Sequence, residues 1–302
     1  PHARWRTGRG WNQGLWPGKE LPRASHIDKV VSDRPVWLRR VDGHAGWANT
    51  VTMELAGITD DTPDPVGGKI VRDDNGRATG IFIDKAMGLI EAHVPRPDKA
   101  ELRAAIAAAV EVLLSEGMTG VHDAGIGVMN AEVYMSMVDD GELDMRIYAM
   151  TAGADEVLDA IGEPIDSYGD DRLAIASVKL YTDGALGSRG AAMIEPYSDD
   201  PENRGLAFWT QSELDAMVAK ANGMGFQVGI HAIGDLGNRM ALDSFGKVQD
   251  GKPSPLRNRI EHAQIVTLED IPRFAQLGVI ASMQATHATS DKNMAEDRVG
   301  PE

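Results

Sequence analysis

From about residue 97 onward, short apolar runs alternate with helical patterns that carry their own start and stop signals. Pro97, Asp98 at the cap position, Glu101 three residues later and Gly117 at the far end predict a helix over 98–115. Thr210 and Glu213 make a second capping box, opening a helix that runs to Asn222. Further helical patterns fall at 130–139, 155–161, 235–248 and 267–276, the last capped by Thr267 and ended by Gly278. Between them lie six strand-like runs: Gly120-Val-His-Asp123, Met145–Met150, a run from Leu173 through Lys179, Phe226–His231, Arg259–His262 and Val279–Met283. Strands alternating with helices predict a parallel sheet, closed as a (β/α)8 TIM barrel or open as a doubly wound sheet. No Gly-x-Gly-x-x-Gly follows any of these strands, which disfavours the dinucleotide-binding version. The expectation is therefore an α/β barrel over 97–302, incomplete with about six strand–helix units. Residues 1–96 are rich in Gly, Pro and Trp and form an N-terminal elaboration beside it. That elaboration shows two β-like stretches, 35–41 and 80–84, and a loop at 63–68.

Composition narrows the functional classes. Thirty basic and 46 acidic residues give a net charge of −16, which disfavours nucleic-acid and anionic-membrane surfaces. No apolar run approaches the length that spans a bilayer. The chain contains no cysteine, so any metal must be held by His, carboxylate or a less common donor. The chain begins at Pro1 and ends at Glu302, and both ends read as cuts through a longer protein. A cytoplasmic location is the default expectation, and association between copies is left open.

Lys179 is out of place for its surroundings. A lysine near the end of a buried strand loses hydration unless it is paired, neutral or chemically changed. It could pair with Asp183 or Glu261, form a Schiff base as a lyase would, or add carbon dioxide to become a carbamate that bridges divalent cations. His231 and His262 end the next two strands, the position where barrel active sites are built. Three successive strands thus present one candidate metal donor each.

The motifs Val178-Lys-Leu-Tyr-Thr-Asp-Gly-Ala-Leu-Gly-Ser-Arg189, Gly229-Ile-His-Ala-Ile-Gly-Asp235 and Arg259-Ile-Glu-His-Ala-Gln264 resemble the YtcJ-like subgroup of the amidohydrolase superfamily, the N-substituted formamide deformylase-like enzymes. So do Arg40–Asn49, the Gly67-Gly68 loop and Thr286–Asp291. The resemblance implies a metal-dependent hydrolase barrel that cleaves a non-peptide C–N bond of a small amide-type substrate with a metal-activated water. It implies Lys179, His231 and His262 as metal ligands, one or two divalent ions such as zinc, and carbon dioxide for lysine carboxylation. The His-x-His pair of the family's first strand and the general-base Asp of its last strand have no counterpart in this sequence, so no catalytic base is assigned and the chain alone is expected to be impaired. The alternative is a non-catalytic fragment or degenerate relative that keeps only the scaffold.

The remaining candidates carry two readings each. The resemblance makes His44, Trp47 and Asn49 part of a segment that lines the substrate pocket, while a plain loop packed by Trp47 accounts for them equally. Asp183 and Arg189 are candidate substrate contacts, or a turn residue and a structural ion pair. His122 and Asp123, read as the end of their strand, are candidates to orient a ligand, or make a strand-end hydrogen bond. His287 reads as a solvated loop residue, and His2, His26 and His93 as surface.

Overall fold

The structure, a computed structural model, describes residues 5–301. Backbone contacts divide the chain into two compact units. The first comprises residues 1–96, 183–208 and 286–302, and the second residues 97–182 and 209–285. One division falls after Arg96, and residues 183–208 and 286–302 group with the N-terminal segment rather than with the rest of 97–302.

The first unit is built on a five-stranded sheet where the sequence suggested only two β-like stretches. Its strands are β1 (Arg6–Trp11), β2 (Val36–Arg40), β3 (Ala45–Ala48), β4 (Gly68–Arg72) and β5 (Ala78–Asp84), in the order β1-β2-β3-β5-β4. Three short helices accompany it: α1 (Ala24–Asp28), α2 (Thr50–Leu55) and α3 (Met87–Glu91). Trp5, Trp37, Ile70, Phe82, Met87 and Ile90 form its core. β3 must be thin at Gly46, because a Cβ there would come within 1.9 Å of the Trp37 ring.

The second unit alternates strand and helix. Its helices are α4 (Lys99–Ser115), α5 (Val128–Asp139), α6 (Asp155–Ile161), α7 (Gln211–Gly223), α8 (Asp235–Val248) and α9 (Ile271–Leu277). Both predicted capping boxes form, with Asp98 and Glu101 on α4 and Thr210 and Glu213 on α7. The strands are β6 (Gly120–Ile126), β7 (Arg146–Ala152), β8 (Ile165–Tyr168), β9 (Leu173–Tyr181), β10 (Gln227–Ala232), β11 (Arg259–His262) and β12 (Ile280–Ser282). Six of them form the parallel series β12-β11-β10-β9-β7-β6, and β8, which the sequence did not announce, adds antiparallel to β9. Two further helices close the chain, α10 (Ala285–Ser290) and α11 (Lys292–Val299).

The sheet is curled, and one contact shows it. β6 and β11 are separated by β7, β9 and β10, which in a flat sheet would hold them about 19 Å apart. Yet Arg259 Nη2 on β11 lies 3.0 Å from His122 Nδ1 on β6. The strands therefore wrap around an interior, and the fold is an incomplete parallel α/β barrel.

Alternation along each strand assigns the two faces. Val178, Leu180, Val228, Ile230 and Ile260 pack outward with Leu214, Val218, Leu242 and Phe245 of the covering helices. Phe245 is completely buried there. Phe245→Ala is expected to cost about 3–5 kcal/mol, read as a lower urea midpoint. Leu268→Ala, at a position 86% exposed, should shift the midpoint by no more than about 0.5 kcal/mol equivalent.

Candidate metal centre

The polar residues of these strands occupy the opposite, inward face. Register aligns Lys179 with Gly229 and Arg259 in one row, and Tyr181 with His231 and Glu261 in the next. Lys179 and His231 are 5% and 2% exposed, so neither is a surface residue. Lys179 Nζ donates to the Leu180 carbonyl at 3.1 Å and lies 3.3 Å from the centre of the Tyr181 ring. The Tyr181 ring in turn sits 5.3 Å from that of His231. The His231 carbonyl accepts from both the backbone N–H and the hydroxyl of Thr182, at 2.9 and 2.8 Å, fixing the end of β10 against β9.

His262 reaches the same place by an irregular route. Its register partner is Ala232, whose side chain belongs to the outward, helix-covered face. A regular strand would send His262 outward as well. Instead His262 adopts φ +76° and Ala263 φ +43°, two consecutive left-handed residues at the exit of β11. This re-aims the imidazole so that its ring lies 4.6 Å from the His231 ring, edge to face. Non-glycine residues held at positive φ cost of order 1–3 kcal/mol each and gather at functional sites. The ring is also oriented: His262 Nδ1 is 2.6 Å from Gln284 Oε1. An amide oxygen only accepts, so Nδ1 is the donor in this contact, and in the neutral ring that leaves the lone pair on Nε2.

The chemistry of the place suits a divalent cation of borderline softness: two adjacent imidazoles, one of them oriented by Gln284, near a buried amine. Among the described residues no group of three or more His, Asp or Glu side chains is gathered for a metal.

The other candidates are placed as follows. His122 and Asp123 do not end their strand; β6 continues through Ile126, because Ala124 and Ile126 keep pairing with Met150 and Thr151 of β7. Asp123 accepts from the Tyr134 hydroxyl on α5 at 2.7 Å, tying strand to helix. His122 lies inward against the Tyr148 ring, and burial together with the Arg259 charge holds its pKa below the ordinary imidazole value. A neutral ring is what its Nδ1 needs to accept from Arg259.

In the first unit, Asn49 is fully buried and caps α2: its side-chain oxygen accepts from Val36 and Thr52 N–H, and its amide donates to the Val31 and Arg34 carbonyls. Trp47 donates to the Arg23 carbonyl and packs with Trp11 and Trp16. Asp183 is buried and accepts from the Ala192 N–H. Arg189 forms a two-pronged pair with Asp199 at 3.0 and 2.9 Å, the structural alternative of its two readings.

His44 Nδ1 is 2.7 Å from Asp84 Oδ1, a partner the sequence did not reveal. Burial pushes the Asp84 carboxyl above its ordinary value, against the pull of His44. His287 lies on α10, and His2 falls outside the described residues. Among the described residues no helix is long and apolar enough to cross a membrane.

Residues 1–302 match the Amidohydrolase family. Among curated proteins the chain is 35% identical to Protein LONG AFTER FAR-RED 3 of Arabidopsis thaliana, over 99% of this chain and 53% of that protein. It is 31% identical to YtcJ of Bacillus subtilis (strain 168), over 99% and 57%. Among solved structures, an uncharacterized metal-dependent hydrolase from Pyrococcus horikoshii OT3 superposes with a TM-score of 0.72 at 31% identity, over 98% of this chain and 57% of that one. The chain thus spans about half the length of the curated relatives it matches.

Proposed function

Since the chain belongs to the amidohydrolase family, we propose that the protein carrying it is a metal-dependent hydrolase that cleaves a non-peptide carbon–nitrogen bond. The observation that carries this reading is the meeting of His231 and His262 at 4.6 Å beside buried Lys179, at the C-terminal ends of three adjacent parallel strands. Reactions in β/α barrels are built at that end of the strands.

In this reading His231 and His262 hold a divalent metal, zinc by the chemistry of the donors. Lys179 would join them once its ammonium has lost a proton: the neutral amine nitrogen bonds to the carbon of carbon dioxide, and a second proton then leaves the nitrogen. The product is an anion with two oxygens where a cation stood. A bound metal supplies Lewis acidity toward a carbonyl oxygen and lowers the pKa of water toward neutrality. Gln284 keeps the His262 Nδ1 proton in place, so the ring binds through Nε2. Thr182 fixes the strand end from which His231 projects. The Schiff-base alternative gives Lys179 a role but leaves the paired imidazoles without one.

The test is amine release from a panel of simple N-substituted amides by the full-length protein, before and after chelation. Release that stops on chelation and returns with zinc supports the reading. Chelator-resistant release, or zinc-replete protein without activity on any amide, favours a scaffold or lyase instead.

A further inference from the structure

Glu261 poses a problem that the metal reading does not solve. It immediately precedes His262, shares its register row with His231 and faces the same interior. A carboxylate so placed is a ready ligand for a hard cation. The structure nevertheless turns it elsewhere. Its Oε1 lies 2.9 Å from the point where a Cβ on residue 229 would stand, one row below His231 and away from the strand ends. It meets Arg259 Nε there as a close ion pair.

Two features make that location available. Gly229 leaves it open: any side chain would come within 2.4 Å of Met150 Cε as well as colliding with the carboxylate. Arg259 is held in place from three other sides, by His122 Nδ1 at 3.0 Å, by Met150 Sδ at 3.1 Å and by the face of Tyr148, 6.0 Å away. Arg259 and Glu261 are each only 12% exposed, so neither has bulk water as an alternative partner. Burying a charge without a partner is costly, and Arg259 is the opposite charge that Glu261 meets.

We propose that Gly229 and Arg259 form a receptacle that withdraws the Glu261 carboxylate from the metal position, so that the donors offered by β10 and β11 are imidazoles alone. Arg259 and Gly229 are then specificity-determining residues for the metal. They favour zinc over manganese, because carboxylate oxygen suits manganese whereas imidazole suits zinc. The inference rests on His231 and His262 being metal donors.

The experiment is calorimetric titration of metal-free full-length protein with zinc alone and manganese alone, with free manganese followed by electron paramagnetic resonance. Two variants release Glu261 by independent routes: Gly229→Ala fills the receptacle, and Arg259→Lys keeps a cation but shortens its reach. In each, the zinc-to-manganese affinity ratio is expected to fall by about tenfold, the scale of changes around metal ligands. Adding Glu261→Gln to either should restore the ratio, since an amide is a poor metal ligand. Disturbed packing alone would weaken both metals together and would not be reversed by Glu261→Gln. An unchanged ratio in both variants, or a shift that persists in both double variants, overturns the proposal. Failure of the underlying reading looks different: His231→Ala would then leave both affinities as they are in the parent.

Discussion

His231→Ala and His262→Ala are each expected to lower zinc affinity by at least about 100-fold, beyond the effect of losing a partner outside the ligand set. Gln284→Ala, which removes only the acceptor for His262 Nδ1, should cost about 10–100-fold. Elemental analysis after dialysis reads all three. Because His231 is 2% exposed, its loss also leaves a void, so the metal-free proteins need a parallel thermal scan. His262 offers a sharper control. At φ +76° a histidine is strained and a glycine is not. His262→Gly should therefore lose metal while its metal-free form is no less stable than the parent. That combination marks a residue kept for its chemistry. Metal content equal to the parent in both the His231 and His262 variants would remove the site from consideration.

The contrast between these residues also explains what the sequence could disclose. Lys179 and His231 stand in largely apolar strands, so each is conspicuous, and the period-two rule turns them inward. Arg259 and Glu261 carry the same signal, since Ile260 between them faces the helices, and the inward row of charges could have been read from the alternation. The route of His262 could not, because no glycine or other local signal marks the left-handed turn at His262 and Ala263 that re-aims it. The parallel series was legible because short apolar runs alternate with helical patterns, two of which open on capping boxes. The five-stranded sheet of the first unit was not: β1 is an exposed Arg-Thr-Gly-Arg-Gly-Trp, and its pairing with β2 joins segments about 30 residues apart in sequence. Asp84 was missed for the same reason, being brought to His44 by pairing of β3 with β5. Residues 183–208 group with the first unit through long-range contacts that no local pattern reports.

Lys179→Ala is expected to abolish measurable hydrolysis, with a loss of at least about 10²–10³-fold, the range for deleting a single preorganised electrostatic group. The distinctive outcome is rescue. If Lys179 acts as a carbamate, alanine leaves a gap the size of a short carboxylic acid, and formate, acetate or propionate supplies the missing pair of oxygens. Activity should then return in part, saturate with carboxylate concentration, and depend on the length of the acid. Short primary amines should not rescue, because an ammonium carries the wrong charge for a site meant to neutralise a cation. A Schiff-base lysine predicts the reverse, rescue by amines and none by acids, since its nitrogen is the reacting atom. The burial of Lys179, only 5% exposed, makes the comparison decisive: the cavity is enclosed enough to select the small molecule that fits it. Full activity of Lys179→Ala without any additive would leave the lysine a packing residue and the metal position without its oxygen donor.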